Sequence, residues 1–81
     1  MMHPEQLRAI IAESLSCEHL QVAGDGHHFE ALIVSAEFSG KNRVQRQQQV
    51  NRFLRAHFDS GDLHALSMRT QTPEEWSAQR G

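Results

Sequence analysis

Apolar residues near the start of the chain recur at helical spacing. Successive members of this stripe stand three or four residues apart, which places them on one face of a helix. The stripe consists of Leu7, Ile10, Ile11 and Leu15. Pro4 suits the first position of a helix, because its missing N–H would have no intrahelical partner there. The pattern predicts a first helix that begins at Pro4 and weakens at Ser14 and Ser16.

Residues 19–36 change to the pattern of two strands. Leu20 and Val22 alternate with polar neighbours, which is typical of a strand with one buried face. Gly24-Asp25-Gly26 is a turn sequence, since glycine and aspartate accept the positive φ of hairpin turns. The run from Phe29 to Ala36 is more continuously apolar, so it predicts a strand buried on both faces. Together the two runs predict a β-hairpin.

A long amphipathic helix is predicted from Arg43 to His57 or Phe58, after Phe38-Ser39-Gly40 has closed the second strand. Its apolar stripe is formed by Val44, Val50, Phe53, Leu54 and Phe58. Its polar face is formed by Arg46, Gln48, Gln49, Arg52 and Arg55.

Two further elements complete the chain. A third strand is predicted from Leu63 to Thr70. A strong helix start follows it, because Thr72 is a good N-cap, Pro73 suits the first helical position, and Glu75 can close a capping box. We expect Trp76 on this last helix to pack onto the sheet.

The predicted order of elements is α-β-β-α-β-α, which favours an α+β two-layer sandwich with helices against a three-stranded sheet. A helix of about fifteen residues separates the second strand from the third, so these two strands cannot form a simple hairpin. A crossover to a parallel neighbour is the natural connection and gives a mixed sheet.

Length and composition exclude several classes of protein. The chain has 81 residues, and we expect one domain over residues 1–81 with a single small core. One cysteine, Cys17, cannot form an internal disulfide, which suits a reducing cytoplasm. The longest apolar run is residues 31–34, far short of the roughly 20 residues of a membrane span. The first residues also lack the pattern of a secretory signal.

The basic residues are concentrated in one segment of an acidic chain. Residues 41–57 hold five of them and no acid, whereas the net charge of the whole chain is −2. Lys41, Arg43 and Arg46 at the start of the long helix are candidates for binding nucleic-acid phosphates. A solvated helix face explains the same charges, and the absence of interleaved aromatic residues favours that interpretation.

Histidine is the residue type that suggests chemistry. The chain has six, of which His27, His28 and His64 stand at predicted strand starts. Neutral imidazole is a common ligand for iron, zinc and copper, although a surface histidine is the commoner situation. A closed metal site needs about four ligands. Any site here would therefore be incomplete and shared with a partner or a second copy. No nucleotide-binding or nucleophile motif is present, so we expect no enzymatic activity.

Four ordered motifs resemble BolA-like proteins and together cover nearly the whole chain. Residues 38–51 contain a Phe-x-Gly, a basic helix and a Val-Asn pair. Residues 63–66 resemble the family's segment with its invariant histidine, and residues 72–76 resemble its Thr-Pro-x-x-Trp. Residues 24–29 resemble the hairpin of the acid-stress branch called IbaG or YrbA.

This resemblance implies a fold, a partner and a cofactor. The family fold is α-β-β-α-β-α, with a sheet related to class II KH domains. Its members bind monothiol glutaredoxins with a Cys-Gly-Phe-Ser active site, and the two proteins bridge a 2Fe-2S cluster. The glutaredoxin and its bound glutathione supply thiolates, while the BolA-like protein supplies the invariant histidine. By motif that histidine is His64, and His27 in the hairpin loop is the candidate second ligand.

A second implied function is DNA binding, because some BolA-like proteins are proposed transcriptional regulators. The chain departs from the family here: it has Gln47 and Gln48 where the family helix has His and Arg. Residues 40–43 also lack the second glycine of a KH loop. We expect a cytoplasmic adaptor that is a monomer or a weak homodimer on its own.

Overall fold

A computed structural model describes residues 2–80. Its helices and strands are α1 (Pro4–Ser14), β1 (His19–Gly24), β2 (His28–Val34), a short 3-10 helix (Ala36–Phe38), α2 (Arg43–Ser60), β3 (Ala65–Gln71) and α3 (Pro73–Arg80). The α-β-β-α-β-α order and the α+β class are confirmed. The ends of the predicted domain, Met1 and Gly81, lie outside the described residues.

The three strands form one mixed sheet in the order β1-β2-β3. β1 runs antiparallel to β2, as expected for a hairpin, and β3 runs parallel to β2. The predicted crossover is therefore confirmed, with α2 as the connecting helix. This register sets Leu20, Ile33 and Thr70 side by side on one face, while His19, Val34 and Gln71 form a row on the other.

The main core lies between one face of the sheet and the apolar sides of α1 and α2. Leu7 and Ile11 of α1 are fully buried, as are Val50 and Leu54 of α2 and Phe29 of β2. Each such side chain contributes about 1.5–3 kcal/mol by leaving water. The predicted stripe of α1 is confirmed, since Leu15 is buried and Ile10 packs at its edge.

Only one end of the opposite sheet face is covered. Trp76 of α3 stacks on His19 of β1 with ring centroids 4.8 Å apart, and Val34 in the same row is fully buried. Further along β2, Leu32 is only half-buried and Glu30 is exposed. The expected burial of β2 on both faces is therefore correct near Val34 and wrong toward its start.

Side-chain caps explain where the predicted boundaries shifted. β2 ends at Val34 rather than at Ala36, because the Ser35 hydroxyl accepts a hydrogen bond from the backbone N–H of Glu37 at 3.1 Å and starts the 3-10 helix. The capping box of α3 is present as predicted. Thr72 and Glu75 bond to each other's backbone N–H, at 3.2 Å and 2.8 Å.

The predicted apolar stripe of α2 is wrong at one position, Val44. Val44 is 61% exposed, whereas Val50 and Leu54 are fully buried. Six residues make about 1.7 helical turns, so Val44 lies about 120° around the helix from Val50. The helix also continues beyond Phe58 to Ser60, and Gly61 then ends it with a left-handed φ of 84°.

A candidate metal-ligating histidine pair

Parallel pairing brings the starts of β2 and β3 to the same edge of the sheet. His28 pairs with Ala65, so the residues that precede them, His27 and His64, lie side by side. Their ring centroids are 5.8 Å apart, and the ring planes differ by 34°. Both side chains are exposed. The structure thus places the two predicted ligands together as one accessible histidine pair, His27 and His64.

The hairpin loop fixes the backbone at His27. One carboxylate oxygen of Asp25 accepts hydrogen bonds from the backbone N–H groups of His27 and His28, each at 2.9 Å. These two hydrogen bonds hold the pKa of Asp25 below its usual value, and the bond from His28 has the larger effect. Gly26, between Asp25 and His27, has a φ of 97°, which glycine adopts without strain. The loop is therefore an ordered turn beside the pair.

The other loop is anchored through the residue before His64. Leu63 is buried in the core, and its backbone N–H donates to the carbonyl oxygen of His57 at 3.1 Å. β3 begins at Ala65, two residues after the predicted start at Leu63. His64 follows this anchor directly, which leaves its imidazole at the surface beside His27.

His28 has a different environment from its neighbour. Its side chain lies on the open face of the sheet, where Nε2 is 3.2 Å from the hydroxyl oxygen of Ser67. Successive residues of a strand point to opposite sides. The ring of His28 is thus engaged by Ser67, and His27 is the loop histidine whose ring centroid lies 5.8 Å from that of His64.

The donor set of the histidine pair fits part of a metal site. Neutral imidazole binds iron, zinc and copper through a ring nitrogen. Two rings bonded to one ion at a tetrahedral angle have centroids about 5 Å apart, given metal–nitrogen bonds of about 2 Å. The observed 5.8 Å is close to this separation. Among residues 2–80, no group of three or more His, Cys, Asp and Glu side chains is placed to hold a metal ion.

The basic residues predicted to bind nucleic acid lie at the other end of β3. Arg46 forms an ion pair with Glu75 at 2.7 Å and donates to the carbonyl oxygen of Thr70, and only 11% of its side chain is exposed. The Lys41 ammonium donates to the Gln49 side chain at 2.7 Å. Arg43 is exposed. Arg46 thus joins α2, β3 and α3, although the sequence pattern had placed it on the polar face.

Cys17 lies outside both of these regions. Its thiol donates to the carbonyl oxygen of Leu15 at 3.4 Å. Burial and then the nearby Glu37 carboxylate raise the pKa of Cys17, and Arg8 opposes them only in part. A thiol with a raised pKa carries little thiolate at neutral pH, so Cys17 has the properties of a packing residue.

Sequence reasoning missed the residues that support the histidine pair. The sequence pattern predicts a turn at Asp25 and no more, although an Asp before Gly is a known signal for a side chain that accepts a hydrogen bond from the backbone two residues later. Ser67 carries no comparable signal, because its contact with His28 depends on the pairing of two strands distant in sequence.

Comparison with known proteins identifies the family. The profile described as BolA-like protein matches residues 2–75. The chain belongs to the BolA-like protein family. The predicted resemblance is thereby confirmed.

Relatives of this BolA-like chain match it over 83–98% of its length. The acid stress protein IbaG of Escherichia coli K12 is 33% identical over 98% of this chain and 94% of its own. The DNA-binding transcriptional regulator BolA of Haemophilus influenzae is 39% identical over 83% of this chain and 64% of its own. The solved structure of a BolA homologue from Coxiella burnetii is 36% identical, covers 95% of this chain and 99% of its own, and superposes with a TM-score of 0.85. Within residues 2–80, no helix is both long and apolar enough to cross a membrane.

Proposed function

We propose that this protein is a non-enzymatic cytoplasmic adaptor that binds a monothiol glutaredoxin and co-ligates a bridging 2Fe-2S cluster through His64 and His27. Its role would lie in iron–sulfur trafficking or in iron and stress regulation. The observation that carries the proposal is the exposed histidine pair with its 5.8 Å centroid separation. Family membership supports it independently, because the motif histidine of the family is His64.

The incomplete donor set is what a shared cluster requires. This chain offers two imidazoles, and the glutaredoxin active-site cysteine and its glutathione would offer thiolates. When bound, the cluster supplies one-electron redox chemistry and can be passed to an acceptor protein. Imidazole in place of thiolate raises the reduction potential of such a centre. Since only neutral imidazole binds metal, acidification would weaken the attachment.

The residues of this chain have distinct roles in that complex. His64 and His27 donate ring nitrogens from loops that are both anchored, the first by buried Leu63 and the second by Asp25. Because the two loops are ordered beforehand, little conformational entropy is lost on binding. The exposed position of the pair gives a partner direct access from solvent.

The proposal is tested by anaerobic reconstitution with the host's Cys-Gly-Phe-Ser glutaredoxin, read by visible circular dichroism. The wild-type complex should give a spectrum that differs from that of the glutaredoxin homodimer. His64→Ala should return the homodimer spectrum, and His27→Ala should alter the spectrum of the mixed complex. His28→Asn is the matched control, since His28 lies beside the pair but bonds to Ser67, and it should behave as wild type. Identical spectra for wild type and His64→Ala would refute the proposal.

A second candidate, DNA binding, is favoured by one relative's name and by exposed charge on α2. The Haemophilus relative is named as a DNA-binding regulator. Arg43, Arg52 and Arg55 are exposed on α2 of this chain. Each phosphate contact lowers the logarithm of affinity by about 0.9 per decade of salt. DNA binding that weakens steeply with salt, falls in Arg43→Ala and is unchanged in His64→Ala would support this function. If the protein bound no DNA even at low salt, this second function would be excluded.

A further inference from the structure

The histidine pair has the donor set of half a tetrahedral zinc site. Structural zinc takes four ligands, with imidazole among the commonest. His27 and His64 supply two, and within residues 2–80 no third His, Cys, Asp or Glu joins them. We propose that one zinc ion binds between two copies of this chain, with His27 and His64 of each copy as its four ligands.

The geometry of the pair suits a single ion. At zinc–nitrogen distances of about 2.0–2.1 Å and a tetrahedral angle, two bound rings have centroids about 5 Å apart. The observed separation of 5.8 Å is close to that value, and both side chains are exposed. Hydrogen bonds hold the backbone of both loops, at His27 and at Leu63, so the two imidazoles are close together before an ion binds.

The charges of the two loops favour a cation at this position. Asp25 and Asp62 are exposed in the segments 25–28 and 61–66, and neither segment contains a lysine or an arginine. Within residues 2–80 Asp25 is not placed with the pair as a third ligand, so its carboxylate acts on an ion through its charge.

A second copy is the partner that completes this site most simply. A two-fold axis through the ion makes each copy contribute the same two imidazoles, which yields four ligands and a closed dimer. The arrangement needs no glutaredoxin, no sulfide and no thiolate, so it does not depend on the proposed function. The zinc site and the cluster site use the same two imidazoles. Zinc and the cluster would therefore compete for binding at this edge of the sheet.

Sedimentation velocity of the purified chain, with zinc as the probe, tests the proposal. The protein should be a monomer in EDTA, and half an equivalent of zinc should double its mass with one zinc per two chains. His27→Ala and His64→Ala should remain monomers at the same zinc concentration. His28→Asn, the matched control, should form the dimer as wild type does. Thermal melts in EDTA verify that each variant is folded.

Three results would overturn the proposal: one zinc per monomer without a change in mass, a dimer that persists in EDTA, or equal loss of dimer in His28→Asn and His64→Ala. The experiment contains no glutaredoxin, so its outcome is separable from that of the cluster assay. A zinc dimer without a bridging cluster would refute only the proposed function. A cluster without a zinc dimer would refute only the shared zinc site.

Discussion

Replacing Gly24 by alanine tests how closely the β1–β2 hairpin is packed beside the histidine pair. Gly24 pairs with Phe29, whose ring is fully buried. A Cβ atom at Gly24 would stand 2.5 Å from the carbonyl oxygen of His28, and 2.6 Å and 2.9 Å from Cδ1 and Cα of Phe29. The closest of these distances is about 0.9 Å short of ordinary van der Waals contact, which begins at 3.4 Å. Two of the three atoms belong to the backbone, so rotating a side chain cannot relieve the overlap.

The cost of Gly24→Ala follows from that overlap. Forcing a methyl group into a packed site costs about 1–3 kcal/mol. In a domain of this size, each kcal/mol lowers the midpoint of thermal unfolding by roughly 4–8 °C. We therefore expect a midpoint at least roughly 4 °C below wild type. The start of β2 must move away from β1, so the amide resonances of His27 and His28 should shift in a nitrogen–proton NMR spectrum.

Gly61→Ala is the matched control for this variant. A Cβ at Gly61 meets no atom within 4 Å, but the φ of 84° disfavours any side chain. Its cost, about 1–2 kcal/mol, would come from backbone strain alone and should leave the resonance of His27 in place. If Gly24→Ala melted at the wild-type temperature with an unshifted His27 amide, the close packing of this hairpin would be wrong.

Three other predictions concern α3 and Cys17. Thr72→Ala removes the N-cap of α3 and should lower the free energy of unfolding by about 1 kcal/mol in urea titrations; an unchanged midpoint would contradict the capping role. Arg46 holds the pKa of Glu75 below its usual 4.5, so the pair stabilises the fold above that pH and is lost as pH falls through the lowered pKa. Glu75→Gln should therefore melt lower than wild type at pH 7, with the difference shrinking below about pH 4.5; a constant difference would refute the ion-pair explanation. Cys17 should react slowly with iodoacetamide at pH 7 and faster in urea, whereas equal rates would show an accessible thiolate.

The order of elements could be predicted because hydrophobic spacing changes clearly along the chain. Leu7 and Ile11 mark a helix, the alternation at Leu20 and Val22 marks a strand, and these signals are local. The parallel placement of β3 followed from the length of the intervening helix. The prediction for Val44 is wrong because its apolar character favours the buried stripe, whereas its angle around the helix places it at the surface.

The place of the histidine pair in the fold could be predicted from the sequence, but the contacts that support the pair could not. The family resemblance points to His64 by motif and to His27 by its place in the hairpin loop. Their proximity follows once β2 and β3 are known to be parallel. The contacts of Arg46 with Thr70 and Glu75 could not be predicted, because they join three elements that are distant in sequence. The separate role of His28 depends on Ser67 of a neighbouring strand for the same reason.

Counting the histidine nitrogens on the reduced cluster tests the central claim most directly. Labelling this chain alone with nitrogen-15 histidine and mixing it with unlabelled glutaredoxin confines the label to the proposed ligands. Pulsed EPR of the reduced complex should show two strongly coupled nitrogen-15 nuclei, of which one is lost in His27→Ala and both persist in His28→Asn. A reduced cluster without any nitrogen-15 coupling would contradict the claim that the histidine pair binds it.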